Sequence, residues 1–262
     1  MITLIMIDTH AHLTVEPLVQ QADALALRAR ERGVEKVVNI CIDADGLEKG
    51  VALAERHPWI FNAAATTPHD VEKEGETFFP LVEQNLSKLV AIGETGLDYF
   101  YTHSPKETQQ KFFRRYLSLA KKSGLPLIFH CRDAFHDLFA IADEVAPHHP
   151  AILHCFTGTL EEALQGVARG WMISFSGIIT FKKSEALREV VKQLPLENLL
   201  VETDAPYLAP QSRRGSTNEP AYIHETVEKI AEVRCMSAQE IAKITTANAI
   251  KFFPFSKVQR GV

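Results

Sequence analysis

Four histidines and three acidic residues stand where apolar segments of the sequence end. The first segment runs into Asp-Thr-His-Ala-His, which contains His10 and His12. Residues two apart in an extended strand project to the same side, so both imidazoles can reach one cation. Zinc, manganese and iron accept imidazole nitrogen, whereas magnesium prefers oxygen. A His-x-His pair also arises by chance or in packing, so a metal centre requires further ligands.

A glutamate, Glu94, closes a second apolar segment and precedes the run Thr-Gly-Leu-Asp. A carboxylate at the end of a core strand is costly unless it is paired or bound to a cation, and this one can bridge two metals. The other interpretations are an arginine salt bridge or a helix cap. Asp98 follows in a predicted loop, where we expect it to make contacts outside the ligand set.

Two further apolar segments end in the runs Ile-Phe-His and Ile-Leu-His, which contain His130 and His154. A single histidine at such a position is more often a structural residue held by hydrogen bonds. Two of them, together with the pair near the N-terminus, favour a metal centre instead.

The last apolar segment ends at Glu202, and Asp204 follows on the same side of the strand. One acid can bind metal and accept a proton from water while the other orients nearby groups. We therefore predict catalytic roles for Asp204, Glu94 and Glu202. The alternative interpretation of Glu202 and Asp204 is that they are solvated acids in a turn.

The elements that must position these residues alternate between short apolar runs and longer amphipathic segments, which predicts parallel strands with helical crossovers. The predicted strands are 4–8, 36–42, 60–65, 89–94, 125–130, 151–155, 171–176 and 198–202. Eight such strands form a TIM-type (β/α)8 barrel, although an open doubly wound sheet has the same periodicity. The candidate ligands end five different strands and can converge in a ring but not along a flat sheet, which favours an α/β barrel. Its length suits a single domain over 1–262.

Helix boundaries are also visible in the sequence. Ser104-Pro105-Lys106-Glu107 predicts a helix with Ser104 as its N-cap, and Gly124 suits its end. Thr159 and Ser237 each begin a similar capping box, with glutamate three residues later.

The composition limits the kind of partner and compartment. With 28 Lys plus Arg against 33 Asp plus Glu, the formal net charge is −5, which excludes a broadly cationic groove for nucleic acid. Four widely spaced cysteines without a Cys-x-x-Cys motif favour a reducing compartment. The apolar opening lacks a basic flank and a cleavage site, and no run approaches the roughly 18 residues of a membrane span. We expect a cytoplasmic protein that does not associate with membranes.

Taken together, the motifs resemble the TatD family of metal-dependent deoxyribonucleases, within the amidohydrolase superfamily, over nearly the whole chain. They are Asp-Thr-His-x-His at 8–12, Gly-Glu-Thr-Gly-Leu-Asp at 93–98, His-x-Arg at 130–132, His-Cys-Phe-x-Gly at 154–158 and Glu-Thr-Asp-x-Pro-Tyr-Leu at 202–208. The resemblance implies two divalent ions, which can be Mg, Mn or Zn. It implies that one ion is bound by His10 and His12, that Glu94 bridges both, that His130 and His154 complete the second site, and that Asp204 binds metal near the nucleophilic water.

The same resemblance suggests substrate contacts. Arg214 precedes Asn218-Glu219-Pro220, which is similar to the end of the family's substrate loop, and Arg132 lies in the His-x-Arg motif. We expect Arg132, Arg214 and Asn218 to bind substrate, although surface ion pairs are an equal interpretation for the two arginines.

Two departures from the family pattern concern the substrate rather than the metal centre. Thr67-Pro68-His69 stands where the family usually has a His-Pro pair, and Ser216 and Thr217 stand where its later loop is more basic.

Two cations offset by two carboxylates leave roughly +2 in a concave site, which suits an anionic phosphodiester. We predict a nuclease that cleaves DNA, with RNA as an alternative substrate, in an exonuclease-like manner, with Asp204 accepting the proton of the attacking water. An amidohydrolase or esterase acting on C–N or ester bonds, including aminoacyl-tRNA esters, is the alternative. A non-catalytic binding barrel is a third interpretation, against which the intact six-residue ligand set argues.

Overall fold

The structure is a computed structural model that describes residues 4–101 and 103–258. Its eight strands form one parallel sheet in chain order. The strands are β1 (Met6–Ala11), β2 (Val34–Cys41), β3 (Ile60–Ala64), β4 (Leu89–Asp98), β5 (Leu127–Arg132), β6 (Ala151–Leu153), β7 (Met172–Phe175) and β8 (Leu199–Val201). The α-helices in the described ranges are α1 (Ala22–Glu31), α2 (Ala44–Arg56), α3 (Val71–Gln84), α4 (Lys106–Ser123), α5 (Phe135–Val145), α6 (Leu160–Ala168), α7 (Glu185–Gln193), α8 (Ile223–Arg234) and α9 (Ala238–Phe252).

The sheet closes where the end of β1 meets the segment that follows β8. The His12 N–H donates to the Ala205 carbonyl at 2.7 Å, and the Asp204 N–H donates to the His10 carbonyl at 2.9 Å. Ala11 and Ala205 form a parallel bridge between these two segments. The predicted TIM-type barrel is therefore confirmed over the open doubly wound sheet.

The inside of the barrel continues directly into the candidate site. A compact apolar cluster contains Ile128 of β5, Ile152 of β6 and Leu200 of β8. Side chains alternate along a strand, so the residues two positions further, His130 and His154 among them, face the same interior at its carboxyl-terminal mouth. A larger apolar cluster joins the strands to the surrounding helices.

Some strand boundaries differ from the prediction. β1 extends to Ala11, whereas the predicted strand ends at residue 8, and β4 extends to Asp98, whereas the predicted strand ends at residue 94. Every residue of β1 and β4 is buried. Backbone pairing therefore continues through polar residues whose side chains have partners inside the protein, which hydrophobicity alone does not reveal.

Ser104 does not cap α4, contrary to the prediction. That helix begins at Lys106 without a side-chain cap. The Ser104 hydroxyl instead donates to the His69 carbonyl at 2.7 Å and accepts from the Glu72 N–H at 3.2 Å, at the start of α3. The capping boxes at Thr159 and Ser237 are confirmed.

Gly124 ends α4 in the left-handed conformation with φ 74°, as predicted. Within the described ranges, none of the helices is long and apolar enough to cross a membrane.

Candidate metal centre

The first group of candidate ligands comes from β1, β4 and the segment after β8. The Nε2 atoms of His10 and His12 lie 3.1 Å apart, and they face Glu94 Oε2 at 3.4 and 3.5 Å. The same two nitrogens face Asp204 Oδ1 at 3.6 and 3.5 Å. All four residues are buried. Ligand atoms about 2.1 Å from a tetrahedral cation are about 3.4 Å from one another, so these spacings fit one ion.

The second group uses the other oxygen of the same glutamate. Glu94 Oε1 lies 2.8 Å from His130 Nδ1 and 3.0 Å from His154 Nε2, and those two nitrogens are 3.4 Å apart. The His154 ring also stacks on His10, with centroids 3.9 Å apart. The two Glu94 oxygens thus face two separate groups of nitrogen atoms, which is the geometry expected of a residue that bridges two ions.

Burial and neighbouring charges act in opposite directions on these groups. Burial alone raises the pKa of Glu94, but the imidazoles of His154, His10 and His130 lower it well below its ordinary value. Burial lowers the pKa of His154, but Glu94 and Glu202 raise it well above the ordinary value. The glutamate is therefore ionised at neutral pH, and the histidine holds a proton that a cation would displace.

Asp204 is held in place by its neighbours at the end of the barrel. Its backbone has φ 58° and its carboxylate is buried against the two N-terminal histidines. Burial raises the pKa of Asp204, but His12, His10 and His154 lower it below the ordinary value. An ionised carboxylate at this point can bind a cation and accept a proton.

Asp8 is not among the predicted site residues, yet it holds the segment that carries Asp204. Its carboxylate accepts the Thr203 N–H at 2.9 Å and the Thr203 hydroxyl at 2.6 Å. Burial raises the pKa of Asp8 to about 8 despite these hydrogen bonds. The signal in the sequence is an acid two residues before His10, inside an otherwise apolar strand.

Glu202, predicted to be catalytic, lies behind His154. One of its oxygens accepts the Cys155 N–H at 2.7 Å and lies 3.3 Å from His154 Nδ1. The other oxygen is buried and has no hydrogen-bond partner among the described protein atoms. The Glu202 carboxylate contacts His154 at Nδ1, whereas Glu94 faces the same ring at Nε2. Glu202 is therefore placed to hold the imidazole rather than to take part directly in the reaction.

Asp98 contacts a ligand from outside the ligand set, as expected, but it is a buried strand residue and not a loop residue. Its Oδ2 lies 2.9 Å from His130 Nε2 and 2.8 Å from His69 Nε2. Its Oδ1 accepts the N–H groups of Phe100 and Tyr101 at 3.0 and 2.8 Å. One carboxylate therefore joins a candidate ligand to the loop that follows β4.

His69 belongs to this arrangement and was not predicted as a site residue. It lies in the segment where the sequence departs from the family pattern. Thr67 is buried and donates to Asp70 at 2.8 Å, so its hydroxyl serves the turn that precedes α3. Ser216 and Thr217 are exposed.

Both arginines predicted to bind substrate carry guanidinium groups stacked on aromatic rings. The Arg132 guanidinium lies 3.7 Å from the Phe100 ring centroid and 4.8 Å from that of Tyr101. The Arg214 guanidinium lies 4.4 Å from the Phe181 centroid. Neither forms a salt bridge with an acid in the described part of the chain. The alternative interpretation, surface ion pairs, is not what the structure shows.

Asn218, which was predicted to bind substrate, is buried in the loop after β8. It is 1% exposed, and its amide donates to the Thr203 and Tyr207 carbonyls at 2.8 and 2.7 Å. Its Oδ1 accepts the Glu219 N–H at 3.0 Å. The prediction of a direct substrate contact is therefore corrected, because the whole amide holds the loop after β8 in shape.

A cavity of about 1000 Å³ lies among the loops after β5 and β6 and the helices α5, α6 and α7, and none of the six candidate ligands lines it. Its lining includes Arg132, two residues after His130, and Thr157 and Gly158, which follow His154. Arg132 is thus the one predicted site residue that lines this cavity.

Comparison with known proteins agrees with this geometry. A family profile described as TatD related DNase matches residues 7–254. The metal-dependent hydrolase YabD of Bacillus subtilis is 38% identical over 251 residues, covering 95% of this chain and 98% of that protein. The 3'-5' ssDNA/RNA exonuclease TatD of Citrobacter rodentium is 35% identical over 261 residues, covering 95% and 97%.

A solved structure gives the same result. The crystal structure of YJJV, a TatD homologue from Escherichia coli, superimposes with a TM-score of 0.90 at 31% identity and covers 96% of this chain and 99% of that one. The family profile and these relatives match nearly the whole chain, and the chain belongs to the family of TatD-related DNases.

Proposed function

We propose that this chain is a nuclease that hydrolyses phosphodiester bonds of single-stranded DNA, with RNA as a second substrate, from an end and with two divalent cations. The observation that carries the proposal is Glu94, whose two oxygens face two separate groups of imidazole nitrogens. One ion would be bound by Glu94 with His10, His12 and Asp204. The other would be bound by Glu94 with His130 and His154. The mixed nitrogen and oxygen donors are compatible with Mn, Zn or, less favourably, Mg.

The reaction follows from the placement of side chains around the two groups. When bound, divalent cations lower the pKa of water and polarise a phosphoryl oxygen. Asp204 is ionised, faces the first group and accepts the proton of the attacking water. Arg132 has N–H groups free of acidic partners among the described residues and donates them to a non-bridging phosphate oxygen. Glu202 positions His154 through its Nδ1 atom.

The substrate class rests on the charge distribution and on a relative. The net charge of −5 gives no general attraction for polyanions, so binding depends on the positive centre and the arginines near it. The Citrobacter relative is named as an exonuclease of single-stranded DNA and RNA. The same ligand set can serve hydrolysis of an amide or of an aminoacyl ester, and the experiment must separate these reactions.

The test is to load metal-depleted protein with Mg, Mn or Zn in turn. Each form is incubated with single-stranded DNA, single-stranded RNA, the matching duplexes, aminoacyl-RNA and small cyclic amides. We expect release of mononucleotides from the single strands, and loss of that release with a chelator. Release of amino acid from aminoacyl-RNA alone, or opening of a cyclic amide alone, would contradict the proposal.

Asp204→Asn is the informative variant, and Asp45→Asn is its matched control. Asp45 is an exposed acid on α2 that pairs with Lys49 and belongs to none of the groups of candidate metal ligands in the described residues. We expect the first change to lower kcat by about 100-fold or more and the second to have no effect. Full activity of Asp204→Asn with every cation would show that the barrel has a different base.

We also propose that the chain works as one domain in the cytoplasm. All four cysteines are free thiols, which suits a reducing compartment. Fractionation of cells that express the protein with a tag tests this location.

A further inference from the structure

Exposed aromatic side chains are concentrated at one end of the molecule. In the described ranges seven large apolar side chains are exposed, and the aromatic ones among them are Phe100, Tyr101 and Tyr207, at 54%, 41% and 51%. The first two lie on the loop after β4 and the third on the loop after β8, both at the carboxyl-terminal mouth of the barrel. Single exposed apolar residues are ordinary, but here all three aromatic ones lie on two loops at the mouth that holds the candidate site.

Tyr207 stands against the first group of ligands. Its ring lies 5.8 Å from the His12 ring, in an edge-to-face arrangement with an angle of 73°. Its backbone carbonyl accepts a hydrogen bond from the buried amide of Asn218 at 2.7 Å. The tyrosine is therefore held in place by its backbone, and half of its side chain remains open to solvent.

Phe100 and Tyr101 stand on the side of the second group. The Tyr101 ring lies 5.6 Å from the His69 ring, which in turn lies 5.3 Å from the ring of His130. The N–H groups of both aromatic residues donate to Asp98. These rings are thus also fixed by their backbone, at the opposite end of the row of imidazoles from Tyr207.

Arg132 adds a positive charge to the second of these surfaces. Its guanidinium stacks on Phe100 at 3.7 Å, which orders the side chain without using its N–H donors on an acid of the described chain. A stacked arginine with free donors can hold a phosphate and present its flat face to a base at the same time. It lies two residues beyond His130 on β5, or about 7 Å along the strand.

We infer that Phe100 with Tyr101 and Arg132 forms one nucleobase-stacking platform, and that Tyr207 forms a second, on the two sides of the phosphodiester that is cleaved. This inference rests on the proposed function and assigns what binds on either side of the metal centre. Stacking on aromatic rings requires bases whose faces are free, so the platforms select unpaired nucleotides of any sequence. A duplex end would have to lose its terminal pairs before it could occupy them.

The test changes the base and the ring separately. Oligodeoxynucleotides carry a normal or an abasic nucleotide on one side or the other of the terminal phosphodiester. They are presented to the metal-loaded wild type, Phe100→Ala/Tyr101→Ala and Tyr207→Ala, with Ile250→Ala as a control. Ile250 is 53% exposed and lies on α9. KM and kcat are measured separately, and metal content is measured for each protein.

We expect removal of a base to raise the KM of the wild type by about 5- to 100-fold, and removal of the matching platform to have an effect of similar size. When the abasic substrate is combined with the platform variant, KM should rise no further than with either change alone, because both remove the same contact. Tyr207→Phe should retain the wild-type KM, and Ile250→Ala should resemble the wild type with every substrate.

Two results would overturn the inference while leaving the nuclease proposal intact. One is a wild type that cleaves abasic and normal substrates with equal KM, which requires no variant to fold. The other is that the KM increases caused by the abasic substrate and by the platform variant multiply when the two are combined. That result would mean that the rings do not contact the base. If the wild type releases no nucleotide from any strand with any cation, the proposed function itself fails.

Discussion

His154 shows how a single side chain can be held from two sides. Its Nε2 atom faces Glu94 at 3.0 Å and its Nδ1 atom faces Glu202 at 3.3 Å. A carboxylate behind a ligand histidine fixes its orientation and its tautomer. The site thus depends on residues that contact the ligands as well as on the ligands themselves.

The change Glu202→Gln tests this arrangement. We expect metal affinity at the second group to fall by about 10- to 100-fold, because the imidazole loses its ionised partner. Competition with a coloured chelator measures the affinity, and activity should return at saturating metal. Glu197→Gln, at an exposed acid ahead of β8, is the control. An unchanged affinity with a lowered kcat would instead support a direct part of Glu202 in the reaction.

Metal uptake should depend on pH in a predictable direction. Burial lowers the pKa of His154, but Glu94 and Glu202 raise it well above 6.5, so the metal-free protein holds a proton there at neutral pH. That proton stabilises the metal-free fold fully below the unfolded pKa of about 6.5, and the benefit is lost as pH rises through the folded pKa. A cation must displace the proton, so affinity should rise with pH.

Calorimetric titration in buffers of different ionisation enthalpy measures the protons released. We expect net release at neutral pH and a larger gain in Tm from metal at about pH 8 than at about pH 6. Uptake of metal without proton release would contradict the assignment of His154 as a ligand.

The six candidate ligands could be proposed from the sequence because they lie at or shortly after the ends of apolar runs, where hydrophobicity changes sharply. The residues that hold them could not. Asp8 and Asp98 have partners far away in the sequence, Thr203 and His69, and only the folded barrel brings them together. Asn218 shows the converse error, because its loop position suggests substrate binding while its amide is buried and already used.

At the scale of elements, all eight strands could be predicted from short apolar runs, whereas their ends could not. Hydrophobicity stops at Glu94, but β4 continues to Asp98, since Thr95 to Asp98 pair with residues 129–132 of β5. The capping serine at 104 was misassigned because its hydroxyl serves a neighbouring helix. A sequence pattern identifies a capable residue, but the tertiary contact decides which backbone group it satisfies.

Gly96 shows why β4 and β5 can lie so close to each other. Its φ is 144°, and a Cβ built there would lie 2.0 Å from the His130 carbonyl oxygen. We expect Gly96→Ala to destabilise the fold by about 2 kcal/mol or more and to weaken metal binding, because the two strands must separate. Urea unfolding and metal content measure the two effects.

Gly124→Ala is the matched control for that substitution. Gly124 also has positive φ, 74°, but nothing lies within 4 Å of a Cβ placed there. Gly124→Ala should lower the free energy of unfolding by about 1 kcal/mol, and metal content should not change. Equal effects of the two changes would show that backbone conformation, rather than strand contact, is responsible.

At the scale of the whole molecule, an acidic protein is proposed to act on a polyanion. Long-range attraction is weak, so only contacts at the mouth respond to salt. With Arg132 and Arg214 as the phosphate contacts, log affinity for a single strand should fall against log salt with a slope of about −1.4. Fluorescence anisotropy at several salt concentrations and constant metal measures this slope.

Arg132→Gln should reduce the magnitude of that slope by about 0.7, which is the share of one contact. Arg32→Gln is the control, since Arg32 is exposed just after α1 and does not line the cavity that contains Arg132. A slope several times steeper would indicate a wider cationic surface than the charge of the chain suggests.

The hydrogen bonds that close the barrel belong to the same residues that would hold the first ion. His10 and His12 lie at the end of the first strand, and Asp204 follows the last, so a cation bound there would cross-link the two extremities of the sheet. Such a link removes freedom from the unfolded chain in the manner of a disulfide that spans a long loop. Since the four cysteines are free, such an ion would supply a cross-link that no disulfide provides, and its loss would weaken the barrel where its first and last strands meet.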